Sequence, residues 1–299
     1  MPLPNTLCES LQQAIIQAKL PPEFMAQIES IYVPLAEHID QLARQQSSPF
    51  VLSLQAPQGT GKSTLCSFLQ LLLEQHYDQR LAVLSLDDFY YDSVTREQLA
   101  KDIHPLLKTR GVPGTHDRQL ALDTLHSLKS GNSTSLPRFN KADDNPYPRS
   151  EWPDSPDNVT IILFEGWCNN VPPQSQAQLL EPINELEALE DPHCQWRTYV
   201  NQQAALHHDE LFALTDALLC MQIPTFDLVY QWRGLQEEKL RATSRDASKL
   251  MGKQQLVRFI QHFERLSRHA MSVLPERADL LVTLDESHQL TQLKIRAGD

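Results

Sequence analysis

A chain of 299 residues, 41% hydrophobic and 21% charged, can bury a sizeable core and has the composition of an ordinary globular protein. Its formal net charge of −12 argues against a general nucleic-acid or membrane-surface binder, because phosphate backbones and anionic lipids require basic surface. Any anionic ligand must then be met by a local basic pocket.

Residues 6–46 are predicted to be helical. Phe24, Ile28, Ile31, Leu35, Ile39 and Leu42 recur at steps of three and four, making one apolar stripe, and Pro34 inside it should kink or divide the run. Residues 1–48 therefore read as a helical N-terminal extension with no chemistry assigned, and 49–299 as the main domain. That domain opens on Phe50 to Leu54, a buried-strand run. The turn Gln55-Ala56-Pro57-Gln58-Gly59-Thr60-Gly61-Lys62-Ser63-Thr64 follows, then a helical apolar run from Leu65 to Leu73. Strand, glycine-rich loop and helix N-terminus in this order make a phosphate cradle, whose backbone N–H groups converge on the anion. The pattern is G-x-x-x-x-G-K-[ST] with Ala56 in place of its first glycine. Gly59, Thr60, Gly61, Lys62, Ser63 and Thr64 are the expected nucleotide contacts, Lys62 on the β- and γ-phosphates and Ser63 on Mg²⁺.

A second buried run, Leu81 to Leu86, ends in Asp87-Asp88-Phe89-Tyr90. Carboxylates at the carboxyl end of a parallel strand lie where open α/β sheets bind ligands. Asp87 is the candidate base for an attacking hydroxyl and a candidate metal ligand; Asp88 either assists or caps the next segment. Residues 91–158 are too many for a simple crossover and read as an inserted substrate cap, with helices at Thr95 to His104 and Asp117 to Lys129. Two loops in it, Arg110 to Asp117 and Pro137 to Asp144, mix Gly or Pro with cations. Arg110, His116, Arg138 and Lys141, together with Asp88, Tyr90 and Asp117, are the candidate substrate contacts. Asn140-Lys141-Ala142-Asp143 matches a guanine-reading N-K-x-D, but neither a preceding aliphatic strand nor a D-x-x-G supports a GTPase.

Val159 to Phe164 reads as a central parallel strand ending in Glu165, placed to support the metal, with Trp167 as a pocket wall. Residues 172–214 read as helical, with His207 and His208 as surface residues. Strands are expected at 216–223, 278–284 and 290–295, and a long helix at 227–243. Between Arg233 and Arg268 there are nine Lys or Arg against four Asp or Glu, a local excess of +5. Arg241 and Arg245 would share a helix face there, as a lid over the nucleotide or as part of a solvated basic helix. Leu256, Phe259, Ile260 and Phe263 form an apolar face behind them. Five cysteines, without any C-x-x-C pair, read as reduced thiols. With no leader pattern and no apolar run near the roughly 18 residues of a membrane span, a cytoplasmic protein is expected.

Taken together, the phosphate loop, Leu-Asp-Asp-Phe-Tyr, Arg-Gly-Val-Pro-Gly-Thr-His-Asp, Pro-Arg-Phe-Asn-Lys-Ala and Phe-Glu-Gly-Trp resemble the D-glycerate 3-kinase family. That family lies within the phosphoribulokinase, uridine kinase and pantothenate kinase group of P-loop kinases. The resemblance runs from about Phe50 to Leu284. It implies a three-layer α/β P-loop NTPase fold with a mostly parallel sheet. The implied reaction is ATP- and Mg²⁺-dependent phosphorylation of a small hydroxy acid, D-glycerate foremost, with Asp87 as base. A kinase for a nucleoside or pantothenate, or a nucleotide-hydrolysing regulatory protein, is the alternative.

Overall fold

The computed structural model describes residues 3–243 and 252–296, apart from the side chains of 236, 237 and 239–243. The chain begins with α1 (Asn5–Gln17), α2 (Phe24–Gln27), a π turn (Ile28–Tyr32) and α3 (Val33–Arg44). β1 (Phe50–Gln55), α4 (Lys62–Tyr77) and β2 (Leu81–Ser85) follow, then α5 (Ser93–Asp102) and α6 (Arg118–Lys129). A small hairpin, β3 (Phe139–Asn140) and β4 (Asn145–Pro146), precedes β5 (Ile161–Gly166). After α7 (Gln176–Leu180), α8 (Glu185–Glu190) and α9 (Gln195–Leu206) come β6 (Ala217–Gln222), α10 (Asp227–Thr243) and α11 (Lys253–Val273). The last elements are β7 (Leu280–Leu284) and β8 (Leu290–Ile295).

Six strands form one sheet in the order β2-β5-β1-β6-β7-β8, parallel except for β8 at the edge. The predominantly apolar sequences of β1, β5 and β6 are explained by burial on both faces, as a parallel sheet between helix layers demands. One face packs on α1–α4 and α10, the other on α6, α9 and α11. This is the three-layer α/β arrangement expected of the P-loop motif.

The N-terminal extension shares the core of the main domain. Leu7, Leu11, Ile28, Leu35 and Ile39 belong to one buried cluster with Leu52, Leu54 and Leu69, and the Phe24 and Tyr32 rings lie 5.2 and 5.8 Å from Phe68. Pro34 does not break the helix. A π turn just ahead of it widens the hydrogen-bond ladder where the proline lacks a donor, and the chain turns instead at Lys19 to Pro22.

Strand order places the chemistry. β5 lies between β2 and β1, with Ser85 opposite Glu165 and Gln55 opposite Gly166. The acid turn after β2, Glu165 on β5 and the loop after β1 therefore meet at one carboxyl edge of the sheet. Such an edge is where doubly wound sheets place their ligands.

Candidate active site

The loop after β1 is held from within. Ala56 continues the strand, fully buried and outside the positive-φ residues, and its N–H donates to Gly166 O at 3.3 Å. An extended backbone needs no glycine, so the departure from the motif carries no strain. The left-handed positions are Gly59 (φ 83°) and Gly61 (φ 89°), the latter capping α4. Thr60 Oγ1 donates to Pro57 O at 2.8 Å and ties the turn. A Cβ on Gly61 would meet nothing within 4 Å, so open space lies over the α4 N-terminus, where amides and the helix dipole favour an anion. Lys62 is the first residue of that helix, and Ser63 beside it is exposed.

The adjacent carboxylates after β2 divide their work. Tyr90 Oη donates to Asp87 Oδ1 at 2.8 Å, and Lys141 Nζ donates to Oδ2 at 2.6 Å. Burial pushes Asp87 up, but Lys141, Lys62 and the Tyr90 hydroxyl outweigh it and hold the carboxyl below its usual value. Asp88 turns the other way. Phe139 N–H donates to its Oδ1 at 3.0 Å and Arg138 Nη1 lies 3.4 Å from Oδ2, yet burial leaves its pKa raised. Asp88 thus pins the β3–β4 hairpin to the sheet. Glu165 accepts from Ser85 Oγ at 2.5 Å through Oε1, and its Oε2 lies 3.8 Å from Lys62 Nζ.

A cavity of about 200 Å³ opens between these groups. Of the residues expected at a site, Lys62, Asp87, Tyr90, Arg110 and Lys141 line it, and Trp167 forms a wall as foreseen. Gln58, Arg233, Phe259 and Phe263 also line it and were not singled out as site residues. Arg233 was legible only as the first cation of the basic run, and the two phenylalanines only as an apolar face. Gln58 Oε1 and Nε2 are buried at the cavity without a hydrogen-bond partner among the described residues. Gly111 explains the close approach of α11. A Cβ there would sit 2.3 Å from Phe263 Cε1, and Gly111 O accepts from Trp167 Nε1 at 3.1 Å.

Four of the expected substrate contacts stand away from the cavity lining, Asp88 as described and three more. His116, expected to bring charge, is buried behind Tyr90, its ring stacked at 4.5 Å, and burial lowers its pKa to about 4. Burial makes it a neutral platform, and among the described residues neither ring nitrogen has a hydrogen-bond partner to stabilise a proton. Asp117 caps α6, accepting from Leu120 N–H at 2.9 Å, and Arg138 is turned onto Asp88. His207, read as a surface residue, is buried as well, its ring 5.6 Å from His116 and 6.4 Å from Phe212. The turn that carries it packs inward against α6, which the polar look of His-His-Asp conceals. Asn140 shapes its own turn, its Oδ1 accepting from Ala142 and Asp143 N–H, as a hairpin tip and not a base reader. The side chain of Arg241, and Arg245 altogether, lie outside the described residues.

The oxygen donors suit magnesium. Ser63 stands exposed at the mouth of the phosphate loop, with Glu165 and Asp87 at the same edge, and Mg²⁺ takes oxygen from hydroxyls, carboxylates and phosphates. Among the described residues no cluster of three or more His, Cys, Asp or Glu could hold a metal alone.

No protein-family model matches the chain. Over 254 residues, 80% of this chain and 87% of the other, it is 27% identical to the uncharacterized kinase mug58 of Schizosaccharomyces pombe. It is 29% identical over 248 residues to the chloroplastic D-glycerate 3-kinase of Arabidopsis thaliana, covering 77% of this chain and about half (51%) of the plant protein. The solved structure of D-glycerate 3-kinase from Cryptococcus neoformans superposes with a TM-score of 0.73 at 24% identity, over 91% of this chain and 99% of that one. The fold is that of a P-loop kinase. Its similarity to D-glycerate 3-kinases extends over most of the chain, as the motifs implied. No helix among the described residues is long and apolar enough to cross a membrane.

Proposed function

We propose that this protein transfers the γ-phosphoryl group of ATP to a hydroxyl of a small organic acid, D-glycerate foremost. The observation that carries the reading is the shared cavity: the phosphate-loop Lys62, the acid Asp87 and the cations Arg110 and Lys141 line one space of about 200 Å³. That space suits an acceptor of few carbon atoms bearing negative charge. The relatives named as D-glycerate 3-kinases support the choice of acid.

In this scheme the loop amides and Lys62 hold the triphosphate, and Arg110 with Lys141 orients the acceptor carboxylate. Asp87 takes the proton of the acceptor hydroxyl as its oxygen bonds to the γ-phosphorus. The bond from that phosphorus to the bridging oxygen breaks, and its electron pair leaves with ADP. Bound Mg²⁺, near Ser63, Asp87 and Glu165, would neutralise charge on the phosphate oxygens. Phe259, Phe263 and Trp167 line the same cavity as its apolar part.

Measuring ADP release with D-glycerate, other hydroxy acids, nucleosides, pantothenate and no acceptor tests the proposal. Release that depends on D-glycerate is expected. Release driven by a nucleoside or pantothenate, or indifferent to every acceptor, overturns it.

A further inference from the structure

Asp87 presents a difficulty for the scheme above, on which the present inference rests. Both of its oxygens are engaged, Oδ1 by the Tyr90 hydroxyl and Oδ2 by the Lys141 ammonium at 2.6 Å. A general base needs a lone pair aimed at the proton it will take. Each oxygen keeps a further lone pair, but an ammonium held on Oδ2 weakens the carboxylate as a base and lines the same cavity, so the acid works best once that partner yields, and the structure shows which partner can.

Tyr90 cannot move cheaply. Its ring is buried between His116, stacked at 4.5 Å, and Phe139, edge-on at 5.4 Å. The Lys141 side chain, by contrast, is 59% exposed. Only its backbone is fixed. Arg96, fully buried, donates to Tyr91 O, Lys108 O and Asp144 O, and it pairs with the Asp144 carboxylate at 2.8 Å. Arg110 also pairs with Asp144, and its Nη2 lies 3.4 Å from Lys141 O. The hairpin tip is bolted down, while the ammonium swings on a four-carbon stem beside Arg110. An ion pair this exposed exchanges partners readily, and a carboxylate placed between Arg110 and Lys141 offers the ammonium a second partner.

We infer that Lys141 senses the acceptor: it screens Asp87 until the acceptor's anionic group draws it away, which frees the acid to receive the hydroxyl proton. Selectivity for acids and suppression of futile ATP hydrolysis then come from one side chain. A neutral alcohol or water leaves Lys141 on Asp87; an acid removes it.

The test compares wild-type protein with Lys141→Met and Lys141→Arg. ADP release is followed with D-glycerate, with glycerol as its uncharged analogue, and without acceptor. In Lys141→Met the ratio of kcat/KM for glycerate over glycerol should fall at least about tenfold, and acceptor-free ADP release should rise about threefold or more. Lys141→Arg should restore much of the ratio. Equal losses with both acceptors and no rise in acceptor-free release would mark Lys141 as a fixed structural partner and overturn the inference. Should the wild-type protein phosphorylate no hydroxy acid, the proposed function falls, and the acceptor-free arm still decides for Lys141.

Discussion

The two walls of the cleft are built by different means. The wall proposed to hold the phosphoryl donor, residues 55–64, is made of backbone: two left-handed glycines, a hydroxyl that ties the turn, and the first amides of α4. The wall proposed to face the acceptor is made of side chains from distant segments, Tyr90, Arg110, Lys141, Arg233 and Phe263. A phosphate can be gripped by local conformation alone, since any run of converging amides suits it. A carboxylate on a small acid has to be met by charges carried in from separate segments, as Arg110 and Lys141 are, each held by an ion pair of its own. Asp87 sits at the seam and belongs to both walls.

The largest effect expected from breaking this contrast is at the donor wall. Lys62→Ala should lower kcat by about 10³-fold, the scale of one lost charge-stabilising contact to the transferred group, with an unchanged circular dichroism spectrum. Activity near the wild-type level in a folded variant would show that the loop does not hold the reacting phosphate.

A smaller effect, on stability, should arise behind the acceptor wall. His116 titrates at about 4 in the folded protein against about 6.5 unfolded, and burial also lowers His207 well below its ordinary value. Below pH 6.5 the unfolded chain binds protons that these buried rings refuse, so folding free energy is full above pH 6.5 and drains as pH falls toward 4. His116 alone should cost about 2 kcal/mol between pH 6.5 and 5. Urea unfolding at pH 7, 6 and 5 measures the slope, and His116→Phe should flatten it. A wild-type slope near zero would mean the ring is not buried as described.

The smallest effect is expected at Arg138. Part-exposed and committed to Asp88, it should cost less than about 1 kcal/mol of stability when changed to Ala, with KM for the acceptor moved by less than about threefold. A tenfold rise in KM would bring Arg138 back to the acceptor, where its place in the sequence pattern suggested it.

These contrasts explain what the sequence made legible. The sheet was readable because β1, β5 and β6 are short and predominantly apolar, and the phosphate loop because its motif lies in ten consecutive residues. Asp87 stood out because it ends the next strand in sequence after the phosphate loop. Harder to see was the side to which each cap residue turns. Arg110, Arg138 and His116 look alike in a cation-rich segment, yet one lines the cavity, one ties down Asp88, and one is a neutral ring under Tyr90. Those outcomes depend on partners such as Asp144 and Asp88, which no local periodicity links to them. Phe263 reaches the cleft only because Gly111, some 150 residues earlier, leaves room for its ring.

The position of β1 has a consequence for how the protein is made. Phe50 pairs with Ile161 on one side, and Leu52 with Ala217 on the other. During synthesis at about 5–20 residues per second, the strand that launches the phosphate loop waits several seconds for its first neighbour and longer for its second. Through that interval the strand emerges without a pairing neighbour, with the helices of the first 48 residues already made and α4 following to cover its apolar side chains. The same helices that pack on α4 in the finished molecule are thus available as its first escort, before any nucleotide site exists.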